Sequence, residues 1–462
     1  VTFERIAEQE PAAADLLKLI VFLDRQNIPE ELLTQSNLPG MDNPIEFRTA
    51  IGKLIGFSMI TKKRGDIPVY ELHRLVQQSI REYLTADEVT HWRNTALEVM
   101  WRCFPQYKHE RRHVCSLYLP HALAVTKGSV YPIDGSLYYR MAVYLFSAGS
   151  ALHDLRRYEE AEDIYRRALE GTGKNVGPDH PSMYHIMSNL ALTLNELGKH
   201  DEAERLLRRV FENSLKVLGP DKPETLRMMR NLASVLHGRG NLIEAQSLNQ
   251  QALKMTSKTL GPEHCDTLTS MNNLATALRG LGQYEKSEEM QRRAVEGRER
   301  VLGRKHPDTL TTISNLALVL EDLNKYREAE ELHRRALEGR EEEALGSEHS
   351  MTLLSAHELA RALRDLERYE EAEEMQRRAL DGRERLLGPE HPDTLDSIYN
   401  LALLFQKQGR EGELEEMNRD ALKRTEKAYG PSHPDTVRCM YNLASVVYRQ
   451  GKHVEAEELY RQ

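Results

Sequence analysis

The tripeptide Asn-Leu-Ala begins at Asn189, Asn231, Asn273, Asn315, Asn400 and Asn442, and Glu358-Leu359-Ala360 fills the one gap. Successive copies lie 42, 42, 42, 43, 42 and 42 residues apart. A fixed period of this length marks an array of one supersecondary unit, which buries its apolar face only by stacking on its neighbours. Two further markers keep the same rhythm. Glu- and Ala-rich segments surround Ala161, Ala203, Ala245, Ser287, Ala329, Ala372, Leu414 and Ala456. Gly-Pro-x-His-Pro or a variant recurs, as in Gly388-Pro389-Glu390-His391-Pro392 and Gly430-Pro431-Ser432-His433-Pro434. The markers define eight repeats over residues 136–462, the last cut off at Gln462.

Each unit reads as two helices. Pro307-Asp308-Thr309 is a helix start, because proline has no donor to lose in the first turn and an acid suits the positive dipole end. Helix A then carries Leu310, Ile313, Leu316, Ala317 and Leu320 at helical spacing. Asn324-Lys325 turns the chain, and helix B follows from about Tyr326. The outer face of B is Glu328, Glu330 and Glu331 followed by Arg334 and Arg335. That order complements the dipole and supplies pairs one turn apart. Ala317, Ala329 and Ala336 mark where helices approach closely.

Composition agrees with an array of narrow buried stripes. Only 40% of the 462 residues are hydrophobic and 29% are charged. The net charge of −9 argues against nucleic acid or an anionic membrane as the bulk partner. The longest apolar stretch, Leu16 to Leu23, is far shorter than the roughly 20 residues of a membrane span. Cys103, Cys115, Cys265 and Cys439 lack paired or CxxC spacing and read as reduced, buried thiols of an intracellular protein. The chain starts at Val1 and stops inside a helical pattern, so it reads as an excerpt of a longer protein.

Residues 1–86 lack the repeat. Phe3 to Leu23 reads as one helix, a short helix follows Pro29, and another runs from Ile45 to Ile55. Phe57-Ser58-Met59-Ile60 and Val69-Tyr70-Glu71-Leu72 flank a polar turn at Lys62-Lys63-Arg64-Gly65-Asp66, which predicts one β-hairpin. His73 opens a helix over 74–84. Helices followed by a hairpin wing suggest a winged-helix domain over 1–86. Residues 87–135 read as a helical connector.

Residues Thr267 to Leu310 resemble, nearly position for position, the 42-residue tetratricopeptide (TPR) repeat of kinesin light chains. The resemblance implies a mostly α fold, a right-handed TPR solenoid preceded by the small winged-helix domain. Tyr70 to Leu84, "YELHRLVQQSIREYL", resembles the winged helix of STAND-class ATPases, the NB-ARC or NLR-like receptors. Leu72-His73-Arg74 stands at that family's Met-His-Asp motif, with Arg74 in place of the acid. The order of segments, with "CSLYLPHA" at 115–122, is similar to the carboxy-terminal part of fungal NLR-like proteins. It implies that His73 contacts the β-phosphate of ADP in the full-length protein. The alternative for His73 is a strand-end cap of the next helix.

No P-loop, GxxxxGK[ST], is present; the nearest approach, Gly171-Thr172-Gly173-Lys174-Asn175, reads as an inter-repeat linker. This chain is therefore expected to bind no cofactor and to be no enzyme, with ADP or ATP and Mg²⁺ belonging only to the full-length protein. His109-Glu110-Arg111-Arg112-His113 matches HExxH literally but has no third ligand at the usual spacing and reads as a charged connector. His180, His264, His306, His349, His391 and His433 recur once per linker and read as turn or cap residues. The wing cluster Lys62-Lys63-Arg64 reads as surface charge rather than a DNA contact.

The asparagine ladder is the main candidate site. In TPR proteins the A helix lines the groove, so Asn189, Asn231, Asn273, Asn315, Asn400 and Asn442 would offer carboxamides to an extended peptide backbone. The alternative is that each ties helix A to the next repeat. Arg227 and Arg230, with Arg279 from the next unit, form a local basic patch that predicts an acidic ligand. The expected function is a protein- or peptide-binding sensor and scaffold in the cytoplasm, coupled to a nucleotide-binding domain outside this chain. Nucleic acid and membrane are not expected partners, and ligand-driven oligomerisation is an option of the full-length protein. A constitutive cargo adaptor like kinesin light chain is the alternative; heptads upstream, rather than a P-loop, would mark it.

Overall fold

The computed structural model describes residues 2–63, 68–104, 112–126, 139, 141, 143, 155–176, 180, 182–342 and 349–461. They contain 22 helices and one three-stranded sheet. The chain divides into two compact units, Val1–Ser147 with Arg157–Thr193, and Ala148–Arg156 with Leu194–Gln462.

In the first unit, α1 (Thr2–Gln9) and α2 (Pro11–Ile20) replace the single helix expected over 3–23. Glu10 leaves helical geometry because Pro11 follows it and restricts the residue before it. β1 (Ile28–Pro29) and α3 (Glu30–Thr34) precede α4 (Pro44–Gly56), whose Asn43 cap accepts the Ile45 amide at 3.0 Å. The expected hairpin forms from β2 (Ile60–Lys63) and β3 (Val69–Leu72). Two corrections apply. Residues 57–59 end α4 rather than start the strand, with Ser58 at a positive φ of 57°. The hairpin is also not alone: β1 pairs with the other edge of β3, Ile28 facing Tyr70, so the order is β1-β3-β2. Residues 64–66 of the expected turn lie outside the described residues.

Helix α5 (Arg74–Tyr83) follows the sheet, then α6 (Ala86–Cys103), which opens on a reciprocal capping box between Thr85 and Glu88. Helix α7 (Arg112–Thr126) lies within the span expected as a connector. Two phenols bind α3 to its surroundings: Tyr70 donates to Glu30 at 2.6 Å and Tyr118 to Glu31 at 2.5 Å. Burial and these neighbouring carboxylates raise both phenol pKa values. The expected start of the repeats at residue 136 lies outside the described residues; α8 (Leu155–Val176) is the first long repeat helix among them.

Helix α9 (Ser182–Glu196) leads to the second unit, where helices alternate regularly. They are α10 (His200–Val217), α11 (Pro223–Gly238), α12 (Leu242–Thr259), α13 (Cys265–Gly280), α14 (Tyr284–Leu302), α15 (Pro307–Asp322) and α16 (Tyr326–Glu342). After them come α17 (Ser350–Asp365), α18 (Tyr369–Leu387), α19 (Pro392–Gln408), α20 (Glu411–Tyr429), α21 (Pro434–Arg449) and α22 (His453–Arg461). Odd-numbered helices from α11 onward are the expected A helices, and the even-numbered ones are the B helices. Ala317, Ala329 and Ala336 are fully buried where α15 meets α16.

The turns explain the period. B helices α14, α18 and α20 stop at Gly303, Gly388 and Gly430, whose φ values of 85° to 94° suit glycine. Five A helices then open on a histidine: His264, His306, His349, His391 and His433. Each Nδ1 accepts the amide two residues on, at 3.1–3.3 Å. The cap reading of these histidines holds. Of the four cysteines expected to be buried, only Cys115 is; Cys103 and Cys439 are half-buried, and Cys265 at the start of α13 is exposed.

Candidate peptide-binding groove

The A helices carry the asparagine ladder because the repeat places one Asn at the same turn of each. The structure shows these side chains to be unequal. Asn315 Nδ2 donates to Asn272 Oδ1 at 3.0 Å, and Asn272 Nδ2 donates to Asn273 Oδ1 at 3.3 Å. Two ladder positions are thus linked through an intervening carboxamide. Asn400 is buried; its Nδ2 donates to the Asp396 carbonyl at 2.9 Å, and its Oδ1 accepts from Arg364 at 3.3 Å. In the first unit, Asn189 donates to Tyr139 at 3.5 Å. Asn231 is half-buried on α11. Asn442 lines two adjoining cavities between α19, α20 and α21.

The basic trio is largely neutralised within the fold. Arg230 is only 7% exposed and holds Asp266 at 2.6 Å, at the first turn of the next A helix. Arg279 pairs with Asp322 at 2.5 Å. Arg227 is half-buried on the same face of α11. A guanidinium already matched to a carboxylate offers a ligand little unbalanced charge.

Where Glu358 breaks the ladder, the interior changes. His333 on α16 is fully buried, with Nε2 3.1 Å from Glu321 of α15 and Nδ1 3.6 Å from Glu358 of α17. Arg361 reaches the other oxygen of Glu321 at 3.3 Å. Equivalent B-helix positions hold Asn249, Gln291, Gln376 and Asn418, all buried. One repeat on, His357 accepts at Nδ1 from Gln376 at 3.2 Å while Nε2 faces Asp396 at 3.1 Å. Burial raises the Asp396 pKa, but hydrogen bonding and charge from His357, aided by Arg383, outweigh it and the net shift is downward.

A second set of residues escaped sequence reasoning: the Gly-Arg pairs 297–298, 339–340 and 382–383 near the ends of three B helices. Arg298, Arg340 and Arg383 are buried and reach the first turns of the next A helix. Arg298 donates to the Asp308 carbonyl at 2.8 Å, Arg340 to that of Met351 at 3.2 Å and Arg383 to that of Asp393 at 2.8 Å. Arg298 also reaches Thr269, four residues before Asn273, at 3.1 Å. These guanidiniums therefore join each of the three B helices to the A helix that follows it. Desolvation lowers the pKa of Arg298 and Arg383. The recurrence of Gly-Arg after 42 and then 43 residues, in step with the repeat, was the available signal.

His73 caps α5, its Nδ1 accepting the Leu75 amide at 3.3 Å, so Nε2 stays on the exposed side. The P-loop near-match at 171–175 lies inside α8 and is not a linker, so its amides are spent on the helix. Residues 109–111 of the HExxH match lie outside the described residues. Among the described residues, no helix is long and apolar enough to cross a membrane.

A tetratricopeptide repeat family model matches residues 139–216, 182–258, 224–299, 266–342 and 397–462, and a second TPR model matches 352–393. The chain belongs to the tetratricopeptide repeat family. Ahead of its TPR region, residues 4–89 match a domain of unknown function, DUF7779. The TPR chain is 36% identical over 182 residues to a nucleotide-binding leucine-rich repeat (NLR)-like protein of Hyaloscypha variabilis. That match covers 39% of this chain and spans only 18% of the relative's length. A STAND protein with a tetratricopeptide repeat sensor from Pyrococcus horikoshii shares the fold over 99% of this chain and 63% of its own, with TM-score 0.57 and 15% identity. The nearly identical TPR-like repeats of kinesin-light-chain type from Podosopora anserina are 30% identical, over 45% of this chain and 97% of theirs, with TM-score 0.39.

Proposed function

We propose that this chain is the ligand-recognition and coupling region of a STAND-type, NLR-like signalling ATPase. The TPR A-helix face receives an extended segment of a protein ligand. The amino-terminal helices and sheet act as the winged helix that passes the binding event to a nucleotide-binding domain. The observation that carries the reading is the combination in one chain of the DUF7779 segment and the TPR array, with similarity to an NLR-like protein.

The carboxamides at 231, 273, 315 and 442 stand one per repeat, and each can both donate to and accept from a peptide backbone, whereas Asn400 is buried and bonded to Asp396 and Arg364. A ligand that engages Asn273 and Asn315 exchanges their bonds to Asn272 for backbone bonds, so selectivity comes from side chains flanking the ladder. In the full-length protein His73 senses nucleotide: its cap uses Nδ1 and leaves Nε2 to face a phosphate. The phosphate cradle and the Mg²⁺ ligands belong to a domain outside this chain. A two-state coupling of this kind needs only that the ligand bind one state more tightly than the other.

The test uses the full-length protein and a ligand recovered by its TPR region. Asn273→Ala with Asn315→Ala should weaken that ligand about tenfold or more, and should abolish its effect on nucleotide hydrolysis. An affinity unaffected by both changes would sink the groove assignment. Arg227→Glu tests the acidic-ligand expectation, because Arg230→Glu would also break the pair with Asp266.

A further inference from the structure

Successive B helices are joined by one four-residue set that recurs with the repeat. An acid near the start of a B helix takes an Arg one turn on and a Lys or Arg just ahead of the next B helix. The first Arg also faces an acid in the first turn of that next helix. Between α14 and α16 the set is Glu288, Arg292, Lys325 and Glu328, with Arg292–Glu328 at 2.7 Å and Lys325–Glu288 at 2.8 Å. Between α16 and α18, Arg368 reaches Glu330 at 3.4 Å and Arg334 reaches Glu371 at 3.7 Å. Arg410 ties Glu373 of α18 to Glu413 of α20, and Arg419 and Lys452 join α20 to the unit of α22. Between α10 and α12, Arg208 reaches Glu244 at 2.8 Å, and Arg239 holds Glu204 from the turn.

The junction of α12 and α14 departs at all four positions. Gln246, Gln250, Gln283 and Lys286 stand where the later units have acid, arginine, base and acid. A second link is missing at the same place. Arg335 of α16 reaches Glu299 of α14, and Arg378 of α18 reaches Glu341 of α16. Arg293 of α14 instead has Ser257 at the matching position of α12. The Gly-Arg pairs that join α14, α16 and α18 to the following A helices have Met255-Thr256 as their counterpart, and Thr256 spends its hydroxyl on Ala252 within α12. Among the described residues, the one ion pair from α14 back to this unit is the exposed Arg300–Glu263, at 3.1 Å.

The A-helix side of the junction is held. Arg230 of α11 donates to the Asp266 carbonyl at 2.9 Å and to its carboxylate at 2.6 Å, in the first turn of α13. Asn249 of α12 donates to the Asn273 carbonyl at 3.4 Å. In a stack where each unit touches only its neighbours, bending collects at the weakest junction. We propose that the α12–α14 junction is the hinge of this solenoid. The units ahead of α13 swing about Arg230 and Asp266, so that α12 and α14 separate while α11 and α13 stay joined. Opening strands no buried ion pair, because Gln246 and Gln283 are half-buried and Gln250 and Lys286 exposed. The motion changes the curvature of the A-helix face between Asn231 and Asn273 and leaves the face from Asn273 onward as one stiff segment. It does not depend on what that face binds.

The experiment measures distances between nitroxide labels by double electron–electron resonance in the full 462-residue chain, with Cys103→Ser, Cys265→Ser and Cys439→Ser as background. Glu212→Cys with Glu296→Cys spans the hinge, and Glu296→Cys with Asp381→Cys spans two bridged junctions. All three positions are exposed and equivalent in the repeat. The first pair is expected to give the broader distance distribution. Gln246→Glu, Gln250→Arg, Gln283→Lys and Lys286→Glu together should narrow it to the width of the second pair. Arg292→Gln with Lys325→Gln should broaden the second pair, as should raised salt, which screens the bridges. Equal widths for the two pairs before these changes overturn the hinge. So does a first-pair width that the fourfold variant leaves unchanged while its circular dichroism stays native. If that variant does not fold, the other decides: a second-pair width unmoved by Arg292→Gln with Lys325→Gln overturns the hinge as well.

Discussion

At the residue scale the most consequential side chain is His333. A buried imidazole between two buried carboxylates is held by its partners, and they by it. Replacing it with alanine strands Glu358, whose Oε2 has no hydrogen bond, and leaves Glu321 to Arg361 alone. Breaking such a buried arrangement costs about 3 kcal/mol or more. His333→Ala should therefore lower the urea midpoint clearly, while His333→Gln, the residue type at Gln291 and Gln376, should lose less. Equal midpoints for the two variants would show that the imidazole contributes only volume. The cluster was not legible in sequence: Glu358 was visible as a gap in the ladder, but its partner is 25 residues away on another helix. The same limit applies to Arg230, whose charge was legible while its partner Asp266 was not.

At the element scale, each helix pair is set by its ends and by one close approach. The Gly-to-His turn stops B and caps the next A, and both signals were plain in the sequence. The close approach was not. A Cβ at Gly339 would fall 2.7 Å from a methyl of buried Leu310, and Gly297 and Gly382 face Leu268 and Leu353 in the same way. Alanine normally strengthens a helix interior by about 1 kcal/mol over glycine. Here overpacking costs about 1–3 kcal/mol. Gly339→Ala is expected to destabilise on balance, as read by urea unfolding. A higher midpoint would show that Leu310 moves aside freely. Single-element misreadings have local causes as well. The helix expected over 3–23 breaks at Pro11, and the third strand, β1, is only two residues long and carries no alternation to read.

At the scale of the whole molecule, the charge has a structural use. Glu-Arg pairs within the B helices, α12 excepted, connect one to the next. Arg208 bridges Glu204 and Glu244 at 2.8 Å each, Arg292 bridges Glu288 at 2.8 Å and Glu328 at 2.7 Å, and Arg419 bridges Glu415 at 2.7 Å and Glu455 at 2.5 Å. Each exposed pair is worth little alone, but the row spans successive repeats. Lys452 and Arg419 hold the Glu415 pKa down to about 2. Burial pushes Glu204 and Glu288 up, but their cationic neighbours outweigh it and the net shift is downward. A depressed carboxylate stabilises the fold above its unfolded pKa, near 4.5, and loses that contribution as pH falls through its folded value. The urea midpoint should thus hold from neutrality to about pH 5 and drop between about 4.5 and 2. Glu415→Gln should flatten that drop, and an identical acid profile for the variant would remove Glu415 from the account.

The sequence by itself determined the period, the helix pair, the caps and the turn glycines, because these depend on neighbours within one or two turns of chain. It also determined where the carboxamides stand, one per repeat. Only the tertiary structure decided which of them are spent. Asn272, Asp266, Glu321 and Glu358 are brought to their partners by stacking across 25 to 43 residues, a distance at which local pattern carries no register. Stacking also decided that Asn442 borders a cleft between α19, α20 and α21.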